Sequence, residues 1–179
     1  MGQKVNTCRK KEKKMNEQWE IVQVKKQEIE EFSKYAKGIW GEYFTALLTS
    51  EQIAYMLDMF LSIEVLKKQL DGDYKYFYCL VDGKKAGFIG LEYEKDALFL
   101  SKLYLAKEYR GKGLASKMFV FIERQAVDNG YNKIYLTCNK YNRHSLDVYA
   151  KKGFEIIESV VTDIGSGFVM DDYVLAKKI

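Results

Sequence analysis

The sequence predicts an α+β fold with a mixed central sheet, its elements in the order β-α-α-β-β-β-α-β-α-β-β. Three observations predict it. Apolar residues at helical spacing fill the stretch between a first strand and residue 71. A β-rich middle is punctuated by the turn signals Asp71-Gly72-Asp73, Asp82-Gly83 and Lys95-Asp96. Beyond it, strands alternate with two helices, the pattern of a crossover connection and so of a parallel pair.

Residues 1–18 are polar and charged, without helical or strand period, and read as a tail ahead of a single domain spanning 19–179. Alternation predicts a strand over 19–25 and helical spacing a helix over 29–43. Ser50 stands as the expected N-cap of a helix over 51–61, where Ile53, Met56, Leu57 and Phe60 recur at helical spacing. A further short helix over 63–70 ends before the Asp71-Gly72-Asp73 turn. Strands are expected over 74–81, 85–94 and 97–105, an antiparallel meander whose first turn, Asp82-Gly83, is a strong hairpin signal. A helix over 113–129 carries Leu114, Met118, Phe121 and Ile122 and stops at Gly130. Then come a strand over 133–138, a helix capped by Asn142 and ended by Gly153, and closing strands over 155–161 and 169–177. The strands 97–105 and 133–138, joined by the crossover helix, should lie parallel.

A chain of 179 residues suits one domain with a single well-buried core. Its 14 tyrosines and 10 phenylalanines argue for a folded protein rather than a disordered one. The net charge of +4 is misleading. Lys4, Arg9, Lys10, Lys11, Lys13 and Lys14 stand against Glu12 alone near the N-terminus, so the rest of the chain is close to neutral. That excludes the concentrated basic face that nucleic-acid binding needs. Cys8, Cys79 and Cys138 are odd in number and scattered, and His144 is the one histidine, so neither a metal site nor a disulfide framework is expected. A reducing, cytoplasmic setting follows. No signal-peptide stretch and no run of about 18 apolar residues occurs, so no membrane association is expected.

The chemistry concentrates at Arg110-Gly111-Lys112-Gly113-Leu114-Ala115, between a strand and a helix. Two glycines in four residues permit a tight turn with positive φ and leave backbone N–H groups bare. The helix that starts there adds its unpaired N–H groups and the positive end of its dipole, and Arg110 and Lys112 add charge. Together these suit a pyrophosphate. Neither Walker A nor G-x-G-x-x-G spacing is present, and a plain glycine-softened turn would look similar.

The stretch Leu103 to Ala115 resembles motif A of the GNAT superfamily of N-acetyltransferases, written [QR]-x-x-G-x-[GA], with Arg110, Gly113 and Ala115 in the fixed places. A second block, Asn142-x-x-Ser145-Leu146-x-x-Tyr149 followed by Lys152-Gly153-Phe154, resembles motif B, with Ser145 replacing the common alanine. The resemblance covers about residues 19–179. It implies the GNAT fold, with a parallel strand pair splayed around acetyl-CoA, which serves as cosubstrate without a metal. The amides of Tyr109, Arg110, Gly111, Lys112, Gly113, Leu114 and Ala115 would bind the coenzyme A pyrophosphate. The backbone of Leu103 and Leu105 would pair with the pantetheine arm, and the N–H of Leu105 would polarise the thioester carbonyl. Asn142 would bond the pantetheine or its neighbours, and Tyr149 would protonate the leaving thiolate. Each has a plainer alternative: Asn142 serves as an N-cap, and Tyr149 packs in the core. His144 falls in the first turn of a helix, where a solvated face is the simpler reading.

The resemblance also implies a base that deprotonates the ammonium of the acceptor. The glutamate commonly used, on the strand before motif A, is absent, and Ser101 or Lys102 stands in its region. Glu92 and Glu94 on the adjacent strand are the substitutes, or else solvated strand residues. In this superfamily the N-terminal helices supply the acceptor site. Glu42, Glu51 and Asp58 lie there, with Tyr43 and Phe44 as an aromatic wall. The segments around Trp40 and Tyr55 and the stretch Met170 to Lys177 are similar to a bacterial branch of diamine and polyamine acetyltransferases. The expected activity is therefore acetyl transfer to a primary amine, with a small diamine or polyamine as acceptor. The alternatives are transfer to a protein lysine or N-terminus and a non-catalytic acyl-CoA-binding module. A homodimer formed through the closing strands is also expected.

Overall fold

The computed structural model describes residues 18–179 of the chain. The basic cluster and nearly all of the expected tail lie outside the described residues. Gln18, assigned to that tail, exchanges hydrogen bonds with Asp82: its N–H donates to Oδ1 at 2.9 Å, and its carbonyl accepts from the Asp82 N–H at 2.7 Å.

The elements are β1 (Trp19–Gln23), α1 (Ile29–Phe44), α2 (Ser50–Leu61), α3 (Ile63–Asp71), β2 (Tyr74–Val81), β3 (Lys84–Tyr93), β4 (Leu98–Leu105), α4 (Leu114–Asp128), β5 (Lys133–Asn139), α5 (Arg143–Lys151), β6 (Glu155–Gly165) and β7 (Phe168–Lys178). Three helices separate the first two strands, matching the segments expected over 29–43, 51–61 and 63–70 and one more than the order β-α-α-β counts. The seven strands form one sheet in the order β1-β2-β3-β4-β5-β7-β6. Every neighbouring pair is antiparallel except β4 with β5, the parallel pair expected from the crossover.

Local chemistry explains the element ends. Thr49 rather than Ser50 caps α2, its Oγ1 accepting from the Gln52 N–H at 3.2 Å. Asp82 and Gly83 both have positive φ, +48° and +74°, the geometry that a two-residue hairpin requires. The β6–β7 hairpin extends beyond the expected strands, because Gly165, Ser166 and Gly167 all take positive φ and make a tight turn there.

Helices cover both faces of the sheet, and strand alternation separates two cores. On one face α4 presents Met118, Phe119 and Ile122 to Phe77, Ile89, Leu98, Ile134 and Leu136. On the other face α1, α2 and α3 bury Phe32, Trp40, Leu61 and Leu66 against Tyr76, Tyr78 and Phe88. Phe32 is fully buried and meets the rings of Tyr76, Tyr78 and Phe88 at 4.8, 5.6 and 5.6 Å. Among the described residues no helix is long and apolar enough to cross a membrane.

One irregularity positions the site. The parallel pairing of β4 and β5 is confined to Leu98 with Ile134 and Phe99 with Tyr135. A bulge then shifts the β3–β4 register at Ser101: Leu100 faces Leu91, and Lys102 faces Gly90. Beyond this point β4 and β5 diverge.

Candidate active site

The gap between the diverging strands opens on a cavity of about 430 Å³, lined by residues of β2, β4, β5 and β7 and of all five helices. The edge of β4 that faces it carries unpaired backbone groups. The Ala106 N–H donates to the Ala86 carbonyl at 2.9 Å. Antiparallel alternation then directs the backbone of Tyr104 and Lys102 to β3, and that of Leu103 and Leu105 toward the gap. An extended arm laid along β4 would find these groups as a strand does. The Leu105 carbonyl is the exception, since it accepts from Arg110 Nε at 2.9 Å.

The glycine loop follows at the open end. The N–H groups of Tyr109 and Arg110 are used by the carbonyls of Ala106 and Lys107 in a short 3-10 turn. Those from Gly111 to Ala115 have no backbone partner among the described residues. Gly111 and Gly113 hold φ of +75° and +81°, and no protein atom lies within 4 Å of where their Cβ atoms would be. Gly113 is the N-cap of α4, whose first residue, Leu114, is buried against Val81 and Ala86 and anchors the loop. Bare amides, a helix N-terminus and open space fit a pyrophosphate group.

Arg110 and Glu42, assigned separately to cofactor and acceptor, form one ion pair. Nη2 reaches Oε2 at 2.6 Å and Nη1 reaches Oε1 at 3.4 Å, with the guanidinium 5.3 Å from the centre of the Tyr43 ring. The hydrogen bond from Arg110 holds the Glu42 carboxyl below its ordinary range. Of Glu42, Tyr43, Glu92 and Glu94, only Tyr43 lines the cavity. The Glu94 carboxylate accepts from Tyr135 Oη at 2.6 Å. Asn142 is buried at 8% exposure, and its Oδ1 accepts from the Ser145 N–H at 3.3 Å, capping α5. The same oxygen accepts from Tyr43 Oη at 3.1 Å.

Tyr149, from α5, lines the cavity against Phe119 and Phe154, with ring centres 6.0 and 5.8 Å away. Burial above all, then Tyr104, Cys138 and Tyr43, drives its phenol well above the usual value, so it stays protonated. Cys138 on β5 also lines the cavity. Burial and then Asp172 push its thiol up to about 12, which leaves it a poor nucleophile.

Asp172 and Lys102, both buried in the walls, were not among the expected site residues. Asp172, on β7, is 7% exposed, and its carboxyl is pushed up to about 6. Burial is the main cause, Asp171 adds to it, and Lys140, which is ion-paired with Asp171, opposes it. Lys102, on β4, is 8% exposed and pulled down to about 8 by burial, partly offset by Glu92. The sequence held a signal for Asp172. Alternation puts it on the strand face of Phe168 and Met170, where a charge is out of place.

The family model for acetyltransferases (GNAT) matches residues 31–154. The chain belongs to the acetyltransferase (GNAT) family. Among its relatives, an uncharacterized N-acetyltransferase of Lactobacillus delbrueckii subsp. lactis is 24% identical over 89% of this chain and 96% of its own length. The spermidine N(1)-acetyltransferase of Thermoplasma acidophilum is also 24% identical, over 85% of this chain and 95% of its own. The crystal structure of PaiA N-acetyltransferase from Thermoplasma acidophilum in complex with coenzyme A superposes with a TM-score of 0.76. It shares 22% identity, over 90% of this chain and 99% of that one. The protein is thus a GNAT N-acetyltransferase with the family's mixed sheet and parallel pair.

Proposed function

We propose that this GNAT protein moves the acetyl group of acetyl-CoA directly to the primary amine of a small molecule. One observation carries the reading: the unpaired edge of β4 and a buried carboxyl, Asp172, open onto the same cavity. The loop amides from Gly111 to Ala115 bind the pyrophosphate, and the backbone of Leu103 and Leu105 holds the pantetheine arm.

An alkyl ammonium, with a reference pKa of about 10.4, must lose a proton before it can attack. Asp172, mostly ionised at neutral pH, accepts that proton directly or through water. Glu92 and Glu94 are less suited, because neither lines the cavity. The amine nitrogen then bonds to the acyl carbon while the Leu105 N–H supports the carbonyl oxygen. The carbon–sulfur bond breaks, Tyr149 gives its proton to the departing sulfur, and the second proton that the nitrogen sheds on becoming an amide returns to the Tyr149 oxygen through solvent. A thiol as high as that of Cys138 supports direct transfer over an acyl-cysteine route.

The cavity roof favours a small acceptor over a peptide. Tyr55 Oη donates to the Ile164 carbonyl at 2.5 Å, and Gln52 Nε2 to the Val169 carbonyl at 3.2 Å. These bonds tie α2 to the β6–β7 hairpin across the face where an open peptide channel would run. A polyamine acceptor is supported by the spermidine-acetylating relative. A panel of amines with acetyl-CoA, read by release of free thiol, tests the proposal. Turnover of small amines and none of lysine peptides is expected; peptide turnover alone would overturn it.

A further inference from the structure

Building on that small-amine reading, we infer that Lys102 anchors a carboxylate carried by the acceptor, which makes the preferred acceptor an amino acid rather than a simple diamine.

Lys102 lies one residue past the β4 bulge and lines the cavity together with Tyr74, Gln69 and Ser101. Its nitrogen donates to Ser101 Oγ at 3.1 Å and sits 6.0 and 5.6 Å from the ring centres of Tyr74 and Tyr76. Among the described residues, no carboxylate comes within ion-pair distance of it. Glu92 is the nearby anion, and its attraction does not offset the desolvation of the ammonium. A buried ammonium lacking a counter-ion is costly and is normally paired.

The fold preserves room for this cation. A Cβ on Gly90 would stand 2.7 Å from the Tyr76 ring and 3.2 Å from Lys102 Cβ, so the glycine lets the lysine stem pass between sheet and helices. Gln69 adds a second donor to the same wall. Its Oε1 accepts from Tyr76 Oη at 2.6 Å, and its amide nitrogen remains for a ligand. An ammonium and an amide are the donors that a carboxylate takes.

The cavity walls therefore carry a buried cation, Lys102, and a buried acid, Asp172. That pair is complementary to a molecule with a carboxylate and an amine. A polycation would set one of its own charges against Lys102, a like-charge contact in a desolvated site.

The test is acceptor kinetics with acetyl-CoA, using amino acids each paired with the amine left by its decarboxylation, such as lysine with 1,5-diaminopentane. The wild type should favour the acid-bearing member of at least one pair by about tenfold to a hundredfold in kcat/KM, the scale of one charged hydrogen bond. In Lys102→Met the ratio for that pair should fall below about threefold, and in Lys102→Arg part of it should return. Protection of each variant against heat by acetyl-CoA confirms that it is folded. Equal or better use of the plain amine in every pair, with transfer plainly occurring, would overturn the inference and leave small-amine acetylation standing. A preference that survives in Lys102→Met would overturn it as well. Absence of transfer to every acceptor, with acetyl-CoA bound, would sink the small-amine reading and this inference together.

Discussion

Tyr43 on α1 donates a hydrogen bond to Asn142 Oδ1 at 3.1 Å, and its hydroxyl lies 2.8 Å from Ser145 Oγ. The oxygen that caps α5 is thus braced by a helix 99 residues away in the chain. Because α5 carries Tyr149 into the cavity, this contact couples the acceptor-side helix to the residue assigned to the leaving group. The Arg110 guanidinium also lies over the Tyr43 ring, so the contact reaches the glycine loop.

Tyr43→Phe should therefore do two things at once. Loss of a partly buried hydrogen bond should lower stability by about 0.5–1.5 kcal/mol, seen as a lower Tm. Looser seating of α5 should also lower kcat, while binding of acetyl-CoA falls by a smaller factor. Ser145→Ala, which leaves the Asn142 contact in place, should cost less of both. A Tyr43→Phe enzyme with unaltered kcat would mean that the brace is structural only.

Gly113→Ala and Gly113→Asp separate two causes. No protein atom obstructs a side chain at Gly113, so Ala suffers mainly from the left-handed φ of +81°, a strain of about 1–2 kcal/mol. Asp carries the same strain and puts a carboxylate where the pyrophosphate charge is proposed to lie. Calorimetry should show coenzyme A affinity weakened in the first variant and abolished in the second. Similar affinities in both would mean that the pyrophosphate does not bind over this helix start.

What the sequence made legible is local. The Asp82-Gly83 hairpin, the crossover pair and the cap role of Asn142 each depend on residues close in the chain. The unseen features depend on distant contacts. Glu42 reads as a free carboxylate until the fold sets it against Arg110. Lys102 reads as a strand lysine until the bulge at Ser101 and the bare Cα of Gly90 draw it inside. Asp172 becomes buried because β7 is inserted between β5 and β6, a sheet order that no short motif announces. The helix cap at Thr49 differs from the expected Ser50 by one residue, because both hydroxyls suit the position and backbone geometry chooses.

Asp172 should leave opposite marks on activity and stability. Its folded pKa of about 6 lies above the ordinary carboxylate value. Between roughly pH 4 and 6 the folded protein therefore binds more protons than the unfolded one, and stability from this group falls as pH rises through that window. Activity runs the other way, since a base must be ionised: kcat/KM should climb through about pH 6. Asp172→Asn should lose about 10²–10⁴-fold in kcat together with that acid limb. It should also gain Tm relative to the wild type above pH 6. A retained acid limb in Asp172→Asn would assign the base elsewhere.

Tyr149→Phe tests the other half of proton transfer. Burial keeps the phenol protonated across the neutral and mildly alkaline range, the state a proton donor needs. The variant keeps the ring against Phe119 and Phe154 and loses only the hydroxyl, so the packing of α5 should survive. General acid catalysis typically contributes about 10²–10⁴-fold, and a thiolate leaves readily, which puts the expected loss in kcat near the low end. The Michaelis constant for acetyl-CoA should stay within about threefold, because that binding is proposed to come from the backbone of β4 and the loop. If Tyr149 served packing alone, removing its hydroxyl would cost at most about 1.5 kcal/mol of stability and leave turnover nearly intact. Single-turnover measurement isolates the chemical step from product release. An unaltered rate there would remove Tyr149 from the mechanism and give the leaving thiolate its proton from water instead.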